Sequence, residues 1–294
     1  MPRAKTNGID IEYDTVGDAG GAPLLLIAGL GSQLTSWDDE LCAALAGRGF
    51  FLVRYDNRDA GLSTRMEAAG PADMAAAISG NPKPAYSLDD LANDAVGLLD
   101  ALGIPAAHIV GASMGGYIAQ LVAINHPERT LSLTSIISGP AVAEGVQAKP
   151  EGLATLIVPS PATREERIEQ SMWIRRALIG PGDPYDEARE RGRAERNIDR
   201  AYYPAGTERQ LVSVLAAHNR LDQLQRLRVP ALVIHGVDDV LIPVENGRLV
   251  AKAVPGARLL EIEGMGHDLP KRAWPVVVDA IAEVASKADA LQPR

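Results

Sequence analysis

His108-Ile109-Val110-Gly111-Ala112-Ser113-Met114-Gly115-Gly116 joins a short apolar run to a serine flanked by glycines. The run reads as a buried strand, and residues 116–124 take up a helical pattern that His126-Pro127 ends. A serine at a sharp strand-to-helix turn has a strained backbone, and its hydroxyl is lifted above the sheet. Glycines two residues to either side leave room for the two arms of the turn to cross. The five-residue pattern is weak alone and would otherwise be a small-residue turn; the strand before it and the helix after it give it weight.

The same rhythm extends in both directions. Leu24–Ile27 is an apolar strand leading into Gly29 and Gly31, followed by a helical pattern from Trp37 to Leu45. Phe50–Tyr55 is the next strand and ends in the polar turn Asp56–Gly61. Ser87 reads as an N-cap with Asp90 three residues on, and Leu88, Leu91, Ala95, Leu98, Leu99 and Leu102 share one helical face. Leu131–Ile137, Ala231–Ile234 and Ala257–Ile262 are further strands; helical segments at Val244–Val254 and Pro275–Ala288 follow the last two. Alternation of buried-type strands with helices predicts an α/β protein with a mostly parallel sheet covered on both faces. From Ala141 to Arg228 the rhythm breaks into Pro-, Glu- and Arg-rich sequence with helical stretches at Ile168–Leu178 and Tyr185–Ile198. The expected organisation is a core of residues 1–140 and 229–294 with a helical lid inserted at 141–228.

Composition limits the function classes. The 294 residues carry a net charge of −9 and no long Lys/Arg run, which argues against nucleic acid. The single cysteine, Cys42, cannot form an internal disulfide and reads as a small core residue. No segment approaches the roughly 18 apolar residues that span a bilayer, and the first residues lack a signal-like apolar stretch. A cytoplasmic protein, with no membrane partner, is expected. Gly29-Leu30-Gly31 begins like a dinucleotide fingerprint, but Leu34 stands where its third glycine belongs. No cluster has metal-site spacing, so neither cofactor nor metal is expected. Arg189, Arg191, Arg193 and Arg196 interleave with acids and read as a solvated helix face.

A serine hydroxyl needs a base to attack at neutral pH. Of five histidines, His108 and His126 read as structural, His218 as surface or packing, and His235 as serving a turn. His267 follows Glu263-Gly264-Met265-Gly266, a loop leaving the last strand, from which an imidazole can reach over the sheet edge. The carboxylate that orients it is Asp238 or Asp239, at the end of another strand; spacing alone does not choose.

Six segments in this order, LLLIAGLGS at 24–32, RYDNRDAGLS at 54–63, GASMGG at 111–116, NHPER at 125–129, VIHGVDDVLIP at 233–243 and EGMGH at 263–267, resemble the α/β-hydrolase superfamily over nearly the whole chain. Within it the chain is most similar to the aclacinomycin methylesterase-like hydrolases. The resemblance implies the α/β-hydrolase fold with eight strands in its sheet, a Ser113–Asp239–His267 triad, and an oxyanion hole of the Leu30 and Met114 backbone N–H groups. It departs in having Ala28-Gly29 where many members have His-Gly, a change that leaves backbone donors in place. The implied function is hydrolysis of a carboxylic ester of a small molecule, with the methyl ester of a bulky substrate in view. C–C bond hydrolysis, lactone opening and perhydrolysis use the same triad, and a non-catalytic ligand-binding protein is the alternative of another class. Leu156, Ile157, Trp173, Leu178, Tyr202 and Tyr203 are the lid residues expected to line the cavity. Oligomeric state is left open, homo-oligomers included. Asp56, Arg58 and Asp59 are expected to knit their turn.

Overall fold

Six strands fall where apolar runs predict them, as a computed structural model covering residues 2–142 and 145–291 shows. Among the described residues the sheet comprises β1 (Arg3–Thr6), β2 (Ile9–Val16), β3 (Ala22–Ile27), β4 (Phe50–Tyr55), β5 (Ala107–Ala112), β6 (Thr130–Ile136), β7 (Ala231–Gly236) and β8 (Arg258–Ile262). The spatial order is β1-β2-β4-β3-β5-β6-β7-β8. β1 and β2 are antiparallel to their neighbours and the rest of the sheet is parallel. The first two strands carry mixed polar sequence, as expected of strands at a less covered edge, and no apolar run marks them.

The helices are α1 (Asp39–Ala46), α2 (Met74–Ile78), α3 (Leu88–Ala101) and α4 (Met114–Asn125), then α5 (Pro150–Leu153), α6 (Arg164–Leu178), α7 (Glu187–Arg200), α8 (Pro204–Leu215) and α9 (Leu221–Leu224) between β6 and β7. α10 (Val244–Ala253) and α11 (Trp274–Leu291) follow β7 and β8. α3 starts in the capping box that Ser87 and Asp90 foretell. His218 lies beyond the end of α8 at the surface, one of the two places expected for it.

Successive strand residues face opposite sides of a sheet, so each parallel strand must feed two cores. Leu24, Leu26, Val110 and Ile234 pack with Leu41 and Leu45 of α1 and Val277 and Ile281 of α11. Leu25, Ile27, Ile109 and Val233 pack on the other face with α3, α4 and Val250 of α10. From β3 the chain crosses to β4 on one side, whereas β5 leads to β6 on the other. The loops after β3 and β5 therefore part at their shared carboxyl edge and open a crevice there.

The turn after β4 is knitted as expected. Asp56 accepts the N–H groups of Leu34 at 2.7 Å and Leu62 at 2.9 Å, and Asp59 that of Met66 at 2.7 Å. Arg58 reaches further, donating twice to Asp94 of α3 at 2.6 and 2.7 Å, with both side chains buried. Helices α6 to α8 tie to the carboxyl edge of the sheet: Arg209 pairs with Asp59 at 2.8 Å, and the Gly182 N–H donates to the Gly264 carbonyl at 2.8 Å. No helix among the described residues is long and apolar enough to cross a membrane.

Removing one partner of a buried pair leaves the other charge uncompensated, which costs about 3–5 kcal/mol. Asp94→Leu is expected to lose stability of that order in urea denaturation; a loss under about 1 kcal/mol would show that Arg58 finds another partner.

Candidate active site

Ser113 stands between β5 and α4 with φ 57° and ψ −122°, a conformation that non-glycine residues rarely adopt. Its N–H donates to the Ile136 carbonyl at 2.9 Å, and its own carbonyl accepts from Gly116 at 2.8 Å. A Cβ on Gly111 would overlap the Gly115 carbonyl, and one on Gly115 would overlap the Ile27 carbonyl at the end of β3. Both glycines are dictated by backbone passing against backbone.

His267 meets the serine from the loop after β8. Its Nδ1 lies 2.8 Å from Asp239 Oδ2, and its Nε2 lies 2.9 Å from Ser113 Oγ. An ionised carboxylate only accepts, so Nδ1–H donates to Asp239 and Nε2 is left to accept the serine proton. The His267 backbone N–H donates to the Leu178 carbonyl at 2.8 Å, which fixes the loop to the end of α6.

Asp239 lies beyond β7, buried, with Oδ1 accepting the N–H groups of Leu241 at 2.9 Å and Ile242 at 2.8 Å. Burial would raise its pKa, but the adjoining His267 and His235 hold it down, to about 2. His235 serves the turn as expected, donating from Nε2 to the Ile242 carbonyl at 2.7 Å. Asp238 also touches the His267 loop, accepting the Gly264 N–H at 3.0 Å. His108 bonds Ser132 inside the core, and His126 bonds Asn93 at the surface.

Leu30 and Met114 line the same cavity as Ser113, and Gly29 packs against the serine side chain. Among the described residues no acceptor engages the N–H of Leu30 or Met114. Two side chains that the sequence did not single out brace the Leu30 loop. Asn57 donates to the Ala28 carbonyl at 3.1 Å. Gln210 of α8 accepts the Gly31 N–H at 2.8 Å and donates to the Arg58 carbonyl at 2.7 Å. Asn57 sits inside a segment already notable, whereas Gln210 is a lone amide nearly 180 residues from its partner, with no local signal.

The cavity measures about 910 Å³. Leu156, Leu178, Tyr202 and Tyr203 line it as expected. Ile157 and Trp173 do not: they are 51% and 47% exposed and point to solvent. The arginine row also needs correction. Arg191 is at the surface, pairing with Glu165 and Glu169, and Arg196 and Arg189 are exposed as expected, Arg189 at the cavity rim; Arg193 departs, half-buried in the cavity wall. An i, i+4 spacing puts Arg189 and Arg193 on one face of α7, which borders the cavity. Burial, reinforced by nearby Arg175, pushes the Arg193 pKa below the ordinary guanidinium value.

A carboxylate whose pKa is lowered on folding stabilises the fold above its unfolded value and loses that contribution as pH falls through its folded value. The stability gap between the parent and Asp239→Asn is expected to be on the order of 2 kcal/mol above pH of about 4, and to shrink as pH falls toward about 2. Denaturant titrations across that range measure it; a gap that widens on acidification contradicts the assignment.

Residues 22–270 match the alpha/beta hydrolase fold family. The chain is 35% identical over 277 residues to rhodomycin D methylesterase DauP of Streptomyces sp. (strain C5), covering 87% of this chain and 88% of that protein. Rhodomycin D methylesterase DnrP of Streptomyces peucetius is equally similar, at 35% with the same coverage. Among solved structures, the enol-lactonase from Burkholderia xenovorans superposes with a TM-score of 0.73 at 23% identity, over 97% of this chain and 100% of that one. The fold, its strand order and the length of the match agree, and the chain belongs to the alpha/beta hydrolase fold family.

Proposed function

We propose that the chain is a serine hydrolase that cleaves a carboxylic ester of a bulky small molecule, with a methyl ester as the preferred substrate and methanol as the alcohol released. The observation that carries this reading is the 2.9 Å approach of His267 Nε2 to Ser113 Oγ at the floor of a large cavity. His267 takes the proton as Ser113 Oγ attacks the acyl carbon, and Asp239 stabilises the imidazolium that results. The N–H groups of Leu30 and Met114 are suited to receive the oxyanion, a contribution worth about 10²–10³ per donor where measured elsewhere. His267 then gives its proton to the departing alkoxide, so that an alcohol leaves and an acyl-Ser113 ester remains. Water, deprotonated by the same imidazole, attacks that ester and releases the acid.

Support for the ester comes from the two 35%-identical relatives, whose names state methylesterase activity. Support for a bulky acyl group comes from the cavity, whose 910 Å³ sits at the upper end of pockets for drug-sized ligands. Helices α5 to α9, within residues 141–228, serve as a lid; residues 143 and 144 of that segment lie outside the described ones. Val146 and Leu153 line the cavity and are about half exposed, which suits an apolar entrance. A single buried cysteine accords with a cytoplasmic setting.

Ser113→Ala is expected to lower turnover of a p-nitrophenyl ester by at least about 10³-fold while leaving the thermal midpoint close to the parent's. Near-parental turnover in that variant would reject the mechanism.

A further inference from the structure

The cavity wall holds a cation, Arg193, that forms no direct ion pair among the described residues; Glu190 and Asp38 act on it only from a distance. Arg193 projects from α7 into the cavity that contains Ser113, and its one hydrogen bond among the described residues runs from Nη2 to the Ser36 carbonyl at 3.3 Å. Among the described residues no carboxylate forms an ion pair with it, although the neighbouring cations are paired. Arg175 pairs with Glu190 at 3.2 Å and Arg189 with Asp38 at 2.8 Å, which occupies the two acids whose charge acts on Arg193. Lys271 pairs with Glu40, and Arg167 donates to the Pro161 and Ala162 carbonyls while stacking on Tyr202. Ala194, Ile198 and Ile174 give the surrounding wall an apolar character.

Arg193 is only half-buried, and a guanidinium in a cavity wall without a close counter-ion keeps donors free for an anionic ligand to complete. Its planar fork offers parallel donors that fit a carboxylate or a pair of adjacent oxygens. We propose that Arg193 anchors an anionic oxygen, a carboxylate or an ionised phenol, carried by the acyl part of the substrate away from the scissile carbonyl. This rests on the reading that the cavity receives an ester. It refines the substrate class to esters whose acid portion keeps a second, negatively charged oxygen group.

The test uses Ser113→Ala protein, which binds esters without consuming them, and isothermal titration with two ligands of nearly equal shape. One is the monomethyl ester of naphthalene dicarboxylic acid, ionised at neutral pH; the other is its neutral dimethyl ester. Tighter binding of the anion is expected, and adding Arg193→Met is expected to reduce that preference by about 10- to 100-fold. Arg193→Lys, which keeps the charge and loses the fork, should reduce it by a smaller factor. Equal affinity for the two ligands before the arginine is changed would overturn the proposal, as would equal weakening of both by Arg193→Met. If the protein with Ser113 intact hydrolyses neither ester while Ser113→Ala still discriminates between them, the hydrolase reading fails and the anchor stands.

Discussion

Two backbones cross at the end of β5 with no space for a side chain between them. Gly111 faces the carbonyl of Gly115, and Gly115 faces the last carbonyl of β3, so the chain turns from strand to helix within the width of one residue. That crossing holds Ser113 at φ 57°, a conformation that costs on the order of 1–3 kcal/mol and survives only where surrounding contacts over-determine it. Here those contacts are the β6 carbonyl that takes the serine N–H and the first turn of α4. With the backbone so fixed, the hydroxyl points out of the sheet edge instead of into its core.

The remaining site residues take their places from the sheet. Ser113 follows β5, Asp239 follows β7 and His267 follows β8, all at the carboxyl edge where parallel strands deliver their loops. Parallel pairing fixes the lateral spacing of these exits, and local hydrogen bonds set the last few ångströms: two N–H groups on Asp239, the Leu178 carbonyl on His267. The helices between β6 and β7 are part of that positioning. α6 holds the histidine loop, and α8, through Gln210, holds the loop that carries Leu30. The helices that line the cavity therefore also brace the loops of its floor.

What the sequence revealed follows from how local each constraint is. The serine turn was legible because its glycines answer to atoms within a few residues, and the buried strands because two-sided burial leaves continuous apolar runs. β1 and β2 left no such run. Choosing between Asp238 and Asp239 needed the family pattern for a visible reason: both carboxylates face the His267 loop, one bonding Gly264 and the other the imidazole. The helices over the cavity were harder. Their polar sequence shows that they are helical but not which face turns inward, so Arg193 was read as solvated and Trp173 as lining, and the packing reverses both. Gln210 acts across nearly 180 residues and has no signature of its own.

The central claim is that the strained turn presents Ser113 as a hydroxyl already bonded to its base. Fluorophosphonate labelling followed by peptide mapping tests it directly, because the probe forms a stable bond only with an activated serine oxygen. One adduct per chain is expected, on Ser113, with labelling slowed by orders of magnitude in His267→Ala. Ester hydrolysis that persists while Ser113 stays unlabelled, or an adduct at another serine, would contradict it.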